Sequence, residues 1–232
     1  MIASPLPEAV LRMGDTPPHA FHLSIGGREW VIGHAGVVLT YDDELAFLRT
    51  QRHLTPYGAA LWPSAIALAH QLAAMGDGLA GLRVLELGSG TGLPGIVAAS
   101  FGAQVTQTDR HEIAMSLCRR NAAANGITGI DYRLADWGRW EMEGRFDLII
   151  GSDILYTDAL HPDLLSIFDS NRTPAGRLLL SDPFRAMSIR LLSQMESDGW
   201  RVTGTRWNLG SDDDSRPIGV FELSRATSPA QP

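Results

Sequence analysis

Two clusters in this chain combine residue types that do chemistry. The first is Arg83-Val84-Leu85-Glu86-Leu87-Gly88-Ser89-Gly90-Thr91-Gly92-Leu93-Pro94-Gly95, an apolar strand-like run that passes into alternate glycines and then a helix-like stretch. Glycines let backbone N–H groups approach a ligand closely, and a helix start adds a positive end for its polar groups. The segment therefore suits a nucleotide. The second cluster is Asp153-Ile154-Leu155-Tyr156, directly after the apolar run 146–150. A carboxylate and an aromatic wall at the carboxyl end of a strand can hold and orient an incoming cation, and open α/β sheets place their chemistry there. A purely structural cap is the alternative for this pair.

Two nucleotide chemistries fit the glycine segment. From Gly90 to Gly95 it satisfies the dinucleotide fingerprint, with Asp109 near the distance of a ribose-binding acid. From Glu86 to Gly92 it satisfies the acid-x-Gly-x-Gly-x-Gly pattern of S-adenosylmethionine enzymes, with Asp109 again on ribose hydroxyls. The acid discriminates between them, because a carboxylate repels a pyrophosphate but attracts an ammonium and a sulfonium. All 19 basic residues are arginines, from Arg12 to Arg225. The absence of lysine removes Schiff bases, the phosphate-loop lysine and lysine-dependent dehydrogenases. No second nucleotide-binding half follows the first. Methyl donation is the favoured chemistry and nicotinamide-dependent oxidoreduction the weaker rival.

The elements that must position these residues alternate. Apolar runs at 83–87, 104–108, 130–134, 146–150 and 177–181 are separated by helix-like stretches at about 92–101, 112–124, 158–170 and 185–198. Such alternation implies a mostly parallel sheet with helices on both faces. The rhythm then breaks. Runs at 200–209 and 218–223 have no helix between them and should pair antiparallel. Upstream, 21–25 and 28–32 flank Gly26-Gly27 as a β-hairpin, and a helical pattern carrying Trp62, Ile66, Leu68, Ala69 and Leu72 runs from Pro56 to about Met75. The expected organisation is an extended, proline-containing leader at 1–18 and a single domain at 19–225, then a disordered tail at 226–232. Within the domain, 19–55 forms the hairpin extension and 56–225 the Rossmann-like core.

Composition bounds the rest. With 232 residues and 44% hydrophobic content the chain can build one substantial core. A net charge of −7 argues against a nonspecific nucleic-acid surface. The lone Cys118 forbids an internal disulfide and reads as a core thiol in a reducing compartment. Without a signal-like N-terminus or an apolar run of membrane-spanning length, a soluble cytoplasmic monomer with no membrane partner is expected. His19 and His22 have metal-like spacing but no companions nearby, and no metal is expected. Asp182-Pro183-Phe184-Arg185 could border an acceptor channel, although a structural turn is preferred.

Trp62-Pro63-Ser64-Ala65, the segment from Glu86 to Leu93, Val105-Thr106-Gln107-Thr108-Asp109-Arg110, Asp136-Trp137-Gly138 and the stretch from Phe146 to Tyr156 together resemble the seven-β-strand protein-lysine methyltransferases of methyltransferase family 16. The likeness covers about residues 20 to 185. It implies an α/β fold of the class I methyltransferase type, a seven-stranded Rossmann-like sheet with the last strand antiparallel, extended by the N-terminal β-hairpin and helix. It also implies S-adenosyl-L-methionine as cofactor, S-adenosyl-L-homocysteine as product and a lysine on another protein as acceptor. A small-molecule N- or O-methyltransferase is the alternative, and a non-catalytic cofactor-binding module a third possibility.

On that resemblance, Gly88, Ser89 and Gly90 wrap the methionine part of the cofactor and Glu86 faces its ammonium, directly or through water. Asp109 takes the ribose, with a helix N-cap role as its alternative. Asp136 and Trp137 meet the adenine, although a tryptophan at a strand end is often core. Trp62 either touches the cofactor or only packs. Ser152 stands where the family usually has a small residue such as alanine, adding a hydroxyl beside the cofactor. Asp153 and Tyr156 position the acceptor amine. An ε-amine of pKa near 10.4 is only about 0.1% neutral at physiological pH, so exposing its lone pair costs roughly 4 kcal/mol. Desolvation beside an aromatic wall helps it shed the proton, and displacement at a sulfonium then needs alignment more than acid catalysis.

Overall fold

The computed structural model describes residues 20–34, 36–37, 57–210 and 216–225. The expected leader at 1–18 and tail at 226–232 lie outside the described residues, as does all of 38–56.

The core is a seven-stranded sheet built from β5 (Arg83–Leu87), β6 (Gln104–Asp109), β7 (Asp131–Leu134), β8 (Phe146–Ser152), β9 (Arg172–Asp182), β10 (Trp200–Leu209) and β11 (Arg216–Arg225). Its order is β10-β11-β9-β8-β5-β6-β7. The strands from β5 to β9 pair parallel, whereas β11 lies antiparallel between β9 and β10. Strand order therefore reverses at β5 and β8, and a ligand crevice opens at the carboxyl ends of strands at such a point.

The central strands read as continuous apolar runs because both of their faces are buried. Alternate residues serve two separate cores. Val84, Leu148, Ile150 and Leu179 face α1 (Pro63–Met75), α2 (Leu93–Ser100) and α3 (Glu112–Ala124). Leu85, Leu87, Ile149, Leu178 and Leu180 face α4 (His161–Asn171) and α5 (Ala186–Ser197).

The hairpin forms as expected, β1 (Ala20–Ile25) pairing antiparallel with β2 (Arg28–Gly33) around Gly26-Gly27. It docks on the first core through Ile25, Trp30 and Ile32. One side chain of α3 and one from its C-cap satisfy its open edge. Asn125 accepts from Val31 N at 3.0 Å and donates to Val31 O at 2.9 Å, and Asn121 accepts from Gly33 N at 2.9 Å and donates to Gly33 O at 3.0 Å. Each primary amide thus stands in for a neighbouring strand's peptide group.

One boundary differs from the sequence expectation. The helix does not begin at Pro56. Residues Tyr57–Ala59 form a 3-10 turn, β4 (Ala60–Leu61) pairs parallel with β3 (Gly36–Val37), and α1 starts only at Pro63. A residue before proline is driven toward extended backbone, and Trp62 has φ −103° and ψ 147°. The helix can begin only after it.

Candidate active site

The first half of the site is a backbone turn. β5 delivers Gly88, Ser89 and Gly90 at its carboxyl end, and Gly92, the N-cap of α2, closes the turn by donating its N–H to Ser89 O at 2.7 Å. Gly90 has φ +55°, a region that disfavours a side chain, and a Cβ there would lie 2.9 Å from the Gly58 carbonyl oxygen. Ser89 is buried, held by N–H donation to Thr108 O at 2.9 Å.

Two carboxylates support this turn from β5 and β6. Asp109 ends β6, where its Oδ2 accepts from Gly90 N at 3.1 Å and its Oδ1 from His111 N at 3.0 Å. The N-cap of α3 is His111, so Asp109 braces the glycine turn and the entry to the helix together. Burial raises its pKa, and the two backbone N–H groups act in the opposite direction.

Glu86 lies beneath the turn and only 1% exposed. Its register partner on β6, Gln107, donates to Oε2 at 2.7 Å. On the other side α2 presses close, since a Cβ at Gly95 would overlap Glu86 Oε2. Glu86 Oε1 is buried without a hydrogen-bond partner. Burial pushes the Glu86 carboxyl up to about 8, against the Gln107 amide. Cys118 is fully buried, as a core thiol should be, and donates its S–H to Gly90 O at 3.4 Å.

Beyond β7, Ala135 N donates to Asp109 O at 2.9 Å and so carries Asp136 and Trp137 to the same end of the sheet. Trp137 is half-buried with its indole against Gly88, where a Cβ would meet Trp137 Cζ2 at 3.1 Å. Asp136 is exposed and uses Oδ1 to cap its own turn at Gly138 N, 3.0 Å away.

The second half of the site is made of side chains. Ser152 ends β8 beside Ser181, and Asp153 follows with φ +58°. Asp153 N donates to Ser181 O at 2.8 Å, and Ser64 of α1 donates to Asp153 Oδ2 at 3.5 Å. The carboxylate is ion-paired with Arg185. Tyr156 stands beside this group with 47% of its surface exposed, and burial of the remainder raises its phenol pKa. Trp62 donates its indole N–H to Tyr57 O at 3.0 Å and lies against Tyr57, with ring centroids 6.2 Å apart.

The carboxyl ends of the strands thus gather Glu86, Gly88, Ser89, Gly90, Asp109, Trp137, Ser152, Asp153 and Tyr156. Trp62 flanks the site through the Tyr57–Ala59 turn, and the Asp136 side chain is engaged with its own backbone. Two participants escaped the sequence reading, and a third was read only as part of a turn that could border an acceptor channel. Gln107 is one, although β5–β6 register is its signal. Asn121, which also donates to Thr91 O at 2.8 Å, is another, and its spacing from Asn125 on one helix face could have marked it. Arg185 is the third. Its segment is indeed a turn, with Arg185 N donating to Asp182 Oδ1 at 2.7 Å, yet its guanidinium reaches Asp153.

Among the described residues no group of three or more His, Cys, Asp or Glu side chains is placed to hold a metal ion, and no helix is long and apolar enough to cross a membrane.

Comparison with known proteins agrees with this architecture. Protein N-lysine methyltransferase METTL21A of Xenopus tropicalis is 39% identical over 132 residues, covering 55% of this chain and 61% of that protein. Histone-arginine methyltransferase METTL23 of Xenopus laevis is 38% identical over 163 residues, covering 66% and 65%. The matches therefore span less than two thirds of either relative. The solved ribosomal protein L11 methylase of Lactobacillus delbrueckii subsp. bulgaricus superposes with a TM-score of 0.53 at 27% identity, over 68% of this chain and 80% of that one. Residues 42–188, more than half of the chain and including both halves of the site, match the family described as lysine methyltransferase. On that match, this protein belongs to the lysine methyltransferase family.

Proposed function

We propose that this protein is an S-adenosylmethionine-dependent methyltransferase whose acceptor is a lysine side chain on another protein. The observation that carries the proposal is the juxtaposition of a backbone-amide turn, braced by Glu86 and Asp109, with the Asp153 and Tyr156 pair at one end of a seven-stranded sheet. These residues suit the cofactor. The buried Glu86 carboxyl has an unpartnered oxygen, and a cation held above it would favour its ionised form, while the glycines of the turn put no side chain between a ligand and the backbone.

When bound, S-adenosylmethionine would supply a methyl group on a positively charged sulfur, so that the lone pair of a neutral amine forms the N–C bond as the C–S pair leaves on a neutral thioether. The chain's own residues divide the remaining work. Gly88, Ser89 and Gly90 hold the methionine part, and Glu86 acts on its cation from beneath the turn. Asp109 takes the ribose hydroxyls on lone pairs left by its two backbone hydrogen bonds. Trp137 covers the adenine with Asp136 bordering it, Ser152 adds a hydroxyl beside the cofactor, and Trp62 closes the flank. Asp153 and Tyr156 hold the acceptor amine in line, and exclusion of water around them eases loss of its proton. The lone buried Cys118 and the negative charge suit a cytoplasmic monomer.

Incubation with radiolabelled donor and a cell extract tests the proposal. Label recovered in protein, and after acid hydrolysis in methylated lysine, is the expected result. Methylated arginine would shift the acceptor toward the chemistry named for METTL23, and label confined to small molecules would overturn the protein acceptor altogether.

A further inference from the structure

Only two non-glycine residues among those described have positive φ, Asp153 at +58° and Phe184 at +62°. Both bear on one ion pair, of which Asp153 is a member. Phe184 immediately precedes Arg185, whose guanidinium rests on Asp153. Backbone strain of this kind gathers where surrounding structure has a use for it. The pair has a third member. Asp182, fully buried at the end of β9, lies 3.3 Å from Arg185 Nη1 through Oδ2. Asp182 Oδ1 accepts from the Arg185 backbone N–H, and Oδ2 accepts from Ser188 Oγ at 2.7 Å. Neither of those bonds needs the guanidinium. Arg185 thus sits between two carboxylates, the partly exposed Asp153 and the buried Asp182.

We propose that Arg185 is a positioning residue for methyl transfer, holding Asp153 until the acceptor arrives, then yielding it by shifting onto Asp182 and keeping a fixed positive charge beside the acceptor amine. This rests on the amine-acceptor reading above and extends it. An arginine does not deprotonate in proteins, so its charge persists through the working pH range. A neighbouring like charge disfavours the protonated form of an amine, which lowers its pKa and enlarges the nucleophilic fraction. Asp153 alone would do the opposite, attracting the acceptor but stabilising its ammonium. Arg185 offsets that second effect. The groups facing the amine position come from several elements: Ser64 of α1, Asp153 and Tyr156 after β8, Asp182 of β9 and Arg185 before α5. The charges of Asp109 and Arg110 at the end of β6 are felt at Tyr156.

The test uses the whole protein, radiolabelled donor at saturation and extract protein dialysed free of small molecules as acceptor. Arg185→Gln should lower the apparent KM for acceptor severalfold, because competition for Asp153 is gone. Its kcat at pH 7 should fall by about tenfold, with the acid limb of the kcat profile displaced upward by about one pH unit, the rate factor that one unit of amine pKa represents. Arg185→Lys, which keeps the charge, should return the limb toward its original place. Asp182→Asn removes the second seat and should raise the acceptor KM severalfold without moving the limb. Calorimetric binding of S-adenosylhomocysteine checks that each variant is folded. A loss of kcat by the same factor at every pH in Arg185→Gln, or an unchanged acceptor KM in Asp182→Asn, would overturn the proposal. Failure of the unsubstituted enzyme to label protein defeats the underlying amine-acceptor reading instead, and that result is visible before any variant is made.

Discussion

The two halves of the site are built from different materials. Around Gly88 to Gly92 the site is shaped by a glycine backbone fastened through its own N–H groups, and the side chains beneath it, Glu86, Gln107 and Asp109, are buried and bonded to one another or to the turn. Around Asp153 the working groups are side chains, held by an ion pair and by strained backbone, with Tyr156 and Phe184 open to solvent at 47% and 39%. A site half made of backbone binds one ligand of fixed shape. A half made of side chains can be retuned for a different acceptor without disturbing the first.

The sharpest way to break this division is Asp153→Ala. Transfer should fall by at least about 100-fold, the scale set by losing alignment of a reacting group, while S-adenosylhomocysteine affinity measured by calorimetry stays within about twofold. Equal losses in both would erase the distinction between the halves. Gly90→Ala is the complementary change. Its Cβ meets the Gly58 carbonyl at 2.9 Å in a left-handed backbone, so S-adenosylhomocysteine should bind about tenfold or more weakly, from strain on the order of 1–3 kcal/mol.

Glu86→Gln probes the support beneath the turn through pH. The folded-state pKa of Glu86 is raised to about 8 from an ordinary value of 4.5, so the fold favours its protonated form. Its stabilising contribution is complete below the ordinary value and is lost as pH rises through about 8. The loss runs at up to about 1.4 kcal/mol per pH unit between those values. Denaturant unfolding at pH 5 and pH 8 should therefore show a decline that Glu86→Gln flattens. The smallest effect is expected from Trp62→Phe. It removes the indole N–H bond to Tyr57 O but keeps an aromatic ring, and cofactor affinity should change by less than about threefold.

Much of this frame could be read from the chain because buried parallel strands announce themselves as short apolar runs and glycine turns interrupt them. The runs at 83–87 and 146–150, and the antiparallel pairing of β10 with β11, needed nothing beyond periodicity and the missing helix between the last two strands. Local apolar content misled at the start of α1, where 57–61 look helical but the proline at 63 holds Trp62 extended. Position along the sequence also says little about pairing across the fold. Arg185 reaches a partner 32 residues away, and only the placement of β8 beside β9 brings them together. Burial of Glu86 was hidden for a similar reason. The motif places an acid at that position, but whether it faces a ligand or lies under the turn depends on Gln107 and Gly95 crowding it from two neighbouring elements.

One contact between distant parts of the chain carries a kinetic consequence. The turn at Gly58 packs on both Gly90 and Asp109, and six residues further on the same stretch delivers Ser64 to Asp153. A molecule leaving the glycine turn must therefore disturb a segment that also touches the other half. Under the proposed methyl transfer, departure of spent product and release of the acceptor would be linked events.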